Sequence, residues 1–185
     1  PEHRDVATTF NGIAIVYGSM GAYEKAMDYT EKALQIQLKV LGPDDNSVSS
    51  SYFGLGWLYE MMGKYDQELE VLYKCMAIRL KRLGPEDTRV ADIYGNISQA
   101  YLQKGIYDTA MLFQEKALEI RLKKLPHDHT DIAWSYLQMG QINNQKGLYD
   151  TALSQFQKVL DIRIRVLGND HPEVAWAYEK IGEMY

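Results

Sequence analysis

The chain has 185 residues, 46% of them apolar, and sets 20 Lys and Arg against 25 Asp and Glu for a formal net charge of −5. That balance suits a soluble globular chain with a sizeable core and excludes a basic face built to meet nucleic-acid phosphates. No apolar run approaches the ~20 residues of a membrane-spanning helix, and the polar start, Pro1 to Asp5, has no signal-peptide core. The single Cys75 cannot form an intrachain disulfide, which suits a reducing compartment and a cytoplasmic location.

Self-similarity organises everything that follows. Gly21-x-Tyr23 recurs as Gly63-x-Tyr65, Gly105-x-Tyr107 and Gly147-x-Tyr149, always 42 residues apart. The first repeat, residues 1–42, opens on a helical stripe of Val6, Phe10, Ile13, Ala14 and Tyr17 (helix A). Gly21 stops it, and a second helix (B) passes through Ala26 and Ala33. The second repeat, 43–84, follows Pro43 with Val48, Tyr52, Leu55, Gly56 and Tyr59. Its helix B carries Glu68 where the other repeats have Ala26, Ala110 and Ala152, and Cys75 in the column of Ala33, Ala117 and Val159. Cys75 is therefore read as a small buried hydrophobe. The third repeat, 85–126, shows Val90, Tyr94, Ile97, Ser98 and Tyr101, then Tyr107, Ala110, Ala117, Ile120 and Leu125, with Pro126 ending helix B. The sequon-like Asn96-Ile97-Ser98 falls on this helix core and is read as chance. The fourth repeat, 127–168, keeps Ile132, Tyr136, Met139 and Gly140, with Asn143 breaking the Tyr17, Tyr59, Tyr101, Tyr185 column. The partial repeat 169–185 holds Pro172, Val174, Tyr178, Ile181 and Gly182 and supplies helix A only. Such a stop implies a piece of a longer array with an exposed apolar face. The pattern predicts an all-α stack of antiparallel helix pairs, about 4.5 repeats in one array. The small column Ala14, Gly56, Ser98, Gly140, Gly182 allows close approach, and the large Tyr and Ile columns fill the space between repeats.

Charges follow the repeat. The last turns of the B helices are basic: Lys39; Arg79, Lys81, Arg82; Arg121, Lys123, Lys124; Arg163, Arg165. Cations there complement the helix macrodipole. Asp44, Asp45, Glu86, Asp87, Asp128 and Asp170 of the next loops cap helix A or face the basic turns. His127, His129 and His171 sit in the same turns and are read as caps, since a metal site needs three or four convergent ligands. No phosphate-cradling loop, catalytic triad or carboxylate pair stands out, so no catalytic, cofactor or metal residue is assigned.

Tyr52-x-x-Leu55-Gly56-x-x-Tyr59 followed by Gly63-x-Tyr65 resembles the tetratricopeptide repeat, whose usual period is ~34. The 42-residue period and the turn Leu167-Gly168-Asn169-Asp170-His171-Pro172 are similar to its kinesin-light-chain variant. The resemblance covers essentially the whole chain. It implies a right-handed α-solenoid whose A helices line a concave groove. The groove positions it implies include Asn11, Ile15, Phe53, Trp57, Asp92, Gln99, Trp134, Leu137, Gln141 and Trp176, and all three Trp residues fall among them. The charged members of these columns are Glu60, Asp92, Glu179 and Glu183, which predicts an apolar, neutral or basic ligand. Only Asn11 and Asn96 match, singly, the paired helix-A asparagines of kinesin light chains, so their acidic cargo is not carried over. The expectation is a non-catalytic scaffold that binds a protein or peptide in the groove. The alternative is an assembly or sensor array of a larger signalling protein, self-associating through its repeat ends.

Overall fold

The computed structural model describes residues 3–183, and within them the chain forms nine α-helices. They are α1 (Arg4–Ser19), α2 (Tyr23–Leu41), α3 (Asn46–Met61), α4 (Tyr65–Leu83), α5 (Thr88–Gln103), α6 (Tyr107–Lys124), α7 (Thr130–Gln145), α8 (Tyr149–Leu167) and α9 (Pro172–Gly182). Odd-numbered helices are the A helices and even-numbered ones the B helices. Pro1 and Tyr185, outer members of the sequence columns, lie outside the described residues. The chain divides into two compact bodies, Pro1–Pro85 and Glu86–Tyr185. No helix among the described residues is long and apolar enough to cross a membrane.

Every A helix starts on a side-chain cap, and the cap column runs His3, Asp45, Asp87, His129, His171. The Asp45 and Asp87 carboxylates accept from the backbone N–H of Ser47 and Arg89 at 2.8 and 2.9 Å. The Ser47 N–H holds the Asp45 carboxyl below its ordinary value. The three histidines do the same work through Nδ1, accepting from Asp5, Asp131 and Glu173 at 3.3, 3.1 and 3.2 Å. The capping role expected of His129 and His171 is what the structure shows.

Each A-to-B turn closes identically. Gly21, Gly63, Gly105 and Gly147 take positive φ of 72°, 66°, 72° and 74°, which costs an L side chain but not glycine. The N–H of the following residue then reaches back to the carbonyl of Tyr17, Tyr59, Tyr101 or Asn143, at 2.9 Å each time. This closure satisfies carbonyls that the helix end would otherwise leave open.

Between paired helices the small column does what its residue types predict. An ideal Cβ on Gly56 would stand 2.9 Å from Leu72 Cδ2, and one on Gly140 would stand 2.6 Å from Phe156 Cε1. Ser98 is buried and donates its hydroxyl to the Ala110 carbonyl at 2.7 Å. The N-terminal body closes around Ala26, Leu34, Val48, Leu55, Leu58, Val71 and Ile78. The C-terminal body has clusters around Ile132 and Ile162 and around Leu160, Val174 and Ala177.

Two helix-A tyrosines stack on an aromatic residue of helix B. Tyr17 lies on Tyr29 at 5.6 Å and Tyr101 on Phe113 at 5.9 Å. Two tyrosines depart from the predicted filling role: Tyr149 is 59% and Tyr178 55% exposed. Tyr149 opens α8 at the turn, and Tyr178 sits on α9, after which the described residues contain no helix to cover it.

Cys75 is fully buried, and its thiol donates to the Ser49 carbonyl. Burial pushes that thiol up to about 11, so it stays protonated and packs as the expected small hydrophobe.

Candidate functional site

In the N-terminal body the A-helix residues Asn11 and Ile15 of α1 and Trp57 of α3 line a hollow of about 250 Å³. Ala14, Thr30, Ser50, Ser51, Gly54 and Leu58 complete it. Its hydroxyls are satisfied by the protein itself. Thr30 donates to the Ala26 carbonyl, Ser50 to the Asn46 carbonyl and Ser51 to Gln37 Oε1. The hollow therefore offers mainly carbon to a ligand. Ile15 is 70% and Trp57 43% exposed, large apolar surfaces left in water on one A-helix face. Trp57 is also held in place. Its ring rests on Gly18, where an ideal Cβ would come within 2.9 Å of Cζ3, and meets Tyr23 edge-on at 6.0 Å. Phe53, on the same helix, is half-buried beneath the Arg79 guanidinium at 5.0 Å.

The C-terminal body treats its aromatic residues differently. Trp134 is half-buried between Gly95, whose ideal Cβ would meet Cζ3 at 2.7 Å, and the Arg121 guanidinium at 5.2 Å. Arg121 is itself buried. It donates to Ser135 Oγ at 2.8 Å, to the Asp131 carbonyl at 3.4 Å and to the Asp92 carboxylate at 2.9 Å. Trp176 lies under Arg163 at 5.1 Å, and Arg163 in turn pairs with Glu173 at 3.2 Å. Neither Trp is exposed as Trp57 is, and Asp92 already has its cation. Leu137 of α7 is half-buried. Gln99 and Gln141 line a larger hollow, about 540 Å³, with Gln103, Asn144, Gln145, Lys180 and Glu183 around it. Gln99 Oε1 is buried there without a hydrogen-bond partner. Lys180 adds a cation that the groove columns did not contain, and it pairs with Glu183 at 2.7 Å. Of the ten predicted groove residues, Ile15 and Trp57 leave apolar surface open in the N-terminal body, with Asn11 beside them and Phe53 under Arg79, while in the C-terminal body Asp92, Trp134 and Trp176 are covered and Gln99 and Gln141 present amides.

The Arg-over-Trp pairing was missed from sequence, although a signal exists. Arg121 to Trp134 and Arg163 to Trp176 are both 13 residues apart. The other basic turns face the acidic loops as expected. Lys81 and Arg82 bind Asp44, and Lys124 binds Glu86 at 3.1 Å. No group of three or more His, Cys, Asp or Glu that could hold a metal occurs among the described residues.

One acidic pair stands outside this scheme. Glu68, the exception in the alanine column of helix B, is 2% exposed, and its Oε2 has no hydrogen-bond partner. Burial, then the charge of Glu60, pushes its carboxyl up to about 8. Glu60 on α3 is half-buried and is shifted upward by that burial.

Two family models described as tetratricopeptide repeat match the chain, one over residues 5–81 and 131–185 and the other over residues 90–131. Among solved structures the chain is similar to BtubC (BKLC) from P. vanneervenii, with TM-score 0.82 and 20% identity, covering 92% of this chain and 68% of that one. It is also similar to a kinesin-light-chain-like protein of Podosopora anserina with nearly identical TPR-like repeats, with TM-score 0.84 and 22% identity, covering 100% of this chain and 88% of that one. The apo form of RapI matches at TM-score 0.82 and 20% identity over 98% of this chain, which spans 48% of RapI. Comparison with curated proteins returned no match.

Proposed function

The chain belongs to the tetratricopeptide repeat family, and from that premise we propose that it is a non-catalytic interaction module whose N-terminal body seats an apolar segment of a partner protein against Trp57 and Ile15. The observation that carries this reading is the hollow of about 250 Å³ on the α1 and α3 faces, where Ile15 is 70% and Trp57 43% exposed. An aromatic ring fixed on one side and open on the other is a favoured anchor, because its contact area comes at little cost in side-chain entropy. Asn11 at the rim offers an amide to the partner backbone. Gln99 and Gln141 offer the same in the C-terminal body, where we assign Trp134 and Trp176 to packing.

Selection of a random nine-residue peptide library on the immobilised protein tests the reading. Enriched peptides should share an aliphatic or aromatic anchor. Trp57→Ala should weaken a selected peptide by about tenfold or more, as loss of an anchor residue does. Peptides that bind Trp57→Ala and Ile15→Ala as well as they bind the unaltered protein would overturn it.

A further inference from the structure

We propose that Glu60 is a cation subsite beside the Trp57 hollow, so that the segment seated there carries a Lys or Arg next to its apolar anchor. The inference rests on the reading of that hollow as a binding surface and adds the chemistry of what it selects.

Three observations carry it. First, Glu60 follows Trp57 by three residues on α3, which places it on the same helix face about one turn, roughly 5 Å, further along. An extended segment rises about 3.3 Å per residue, so a cation one or two positions from the anchor reaches it.

Second, Glu60 has no cation of its own. Three other N-terminal carboxylates are each held by a lysine: Asp28 by Lys32, Glu70 by Lys74, and Asp44 by Lys81. No Lys, Arg or His among the described residues pairs with Glu60, whose shift is set by burial; the cations on this face stand elsewhere, Arg79 over Phe53 and Arg4 beside Thr8, Asn11 and Ser50. Its carboxyl is therefore an acidic group without a cation for a ligand to meet.

Third, the hairpin through Gly63 sets Glu68 behind Glu60, at a position where the other three repeats bury alanine. Glu68 Oε2 is buried without a partner, and the charge of Glu60 adds to the burial that pushes its carboxyl up, so the two lie within electrostatic reach. Glu68 holds its proton at neutral pH and supplies no counter-charge, so a cation arriving at Glu60 offsets the charge there. An acidic or purely apolar segment does not.

Peptides selected on the unaltered protein should carry Lys or Arg one or two positions from the anchor, and those selected on Glu60→Gln should not. A fluorescein-labelled selected peptide should bind Glu60→Gln about fivefold more weakly, with Glu60→Asp in between. The gap should narrow at high salt. Circular dichroism melting shows that each variant is folded. An apolar consensus with no basic residue, or equal affinity for Glu60→Gln, overturns the subsite while leaving the hollow reading intact. Failure to enrich any peptide, or peptides indifferent to Trp57→Ala, overturns the hollow reading and the subsite with it. A dimer in sedimentation that Trp57→Ala dissolves would put a second copy in the hollow and overturn both.

Discussion

The two bodies bury ionisable side chains in different ways on one repeating scaffold. In the C-terminal body Arg121, 5% exposed at its side chain, leaves its Nε without a partner but has partners at both terminal nitrogens: the Asp92 carboxylate, Ser135 and the Asp131 carbonyl, with the face of Trp134 alongside. In the N-terminal body Glu68 is buried with an oxygen that nothing satisfies. The same contrast runs through the aromatics. Trp134 and Trp176 lie under guanidinium groups from the preceding helix B, while Trp57 stands in a later column of helix A with no cation over it. In a repeat protein, then, the residue type does not decide whether a tryptophan is scaffold or surface. The column does, because it sets whether a helix-B arginine reaches the ring.

Replacing the paired charge should give the largest effect. Arg121→Ala removes hydrogen bonds to a carboxylate, a hydroxyl and a carbonyl, together with the cover on Trp134. Asp92 is partly solvated and keeps some hydration, so the cost should be about 2–3 kcal/mol in urea unfolding. The same column in the first repeat is Gln37, whose buried amide only accepts from Ser51 at 2.7 Å. Gln37→Ala should cost about 1 kcal/mol. Equal costs would mean that the first and third repeats do not differ in how this column is used.

Glu68→Ala should act in the other direction and depend on pH. The native carboxyl is shifted from 4.5 up to about 8, so the folded state holds a proton that the unfolded state has lost between those values. That contribution to stability is full below about 4.5, declines as pH rises, and levels off above about 8. Alanine, the residue of the other three repeats, removes the decline. The variant should match the natural protein near pH 5 and exceed it by about 2 kcal/mol near pH 8.5, where an uncompensated buried charge is lost. Melting temperatures of both proteins across pH 5–9 measure this. Parallel curves would show that Glu68 is hydrated and that the contrast with Arg121 is smaller than the burial suggests.

What was legible in the sequence was whatever the repeat enforces. The Gly63 and Gly105 turns, the Asp45 and His129 caps, and the Gly56 and Gly140 contacts all depend on local backbone geometry, which a 42-residue column displays four or five times. Site properties were less legible because they come from departures from the repeat. Trp57, Trp134 and Trp176 all fall in groove columns, and although Trp57 stands in a different column from the other two, what the columns mean shows only in the reach of Arg121 and Arg163. Glu68 was visible as an exception among alanines, but its missing partner depends on side chains that three-dimensional packing brings to it or withholds. Tyr178 shared a column with Tyr94 and Tyr136, yet its exposure follows from the helices around α9 rather than from the column.

The smallest effect separates the bodies by stiffness rather than charge. Gly56 and Gly140 hold equivalent positions, one against the flexible end of Leu72 and the other against the ring of Phe156. Alanine improves helix propensity by about 1 kcal/mol at either site. At Gly56 the new methyl would stand 2.9 Å from a Leu72 methyl, and a small rotation of that side chain relieves the contact. At Gly140 it would meet Phe156 at 2.6, 2.9 and 3.0 Å, three atoms of one rigid ring that no small rotation withdraws together. Gly56→Ala should therefore change stability by less than about 0.5 kcal/mol. Gly140→Ala should lose about 1 kcal/mol net, because overpacking of roughly 2 kcal/mol exceeds the propensity gain. Thermal unfolding of the two single variants measures the difference. If the double variant Gly140→Ala with Phe156→Leu, which copies the Gly56 and Leu72 surroundings, does not recover the loss, ring rigidity is not its cause.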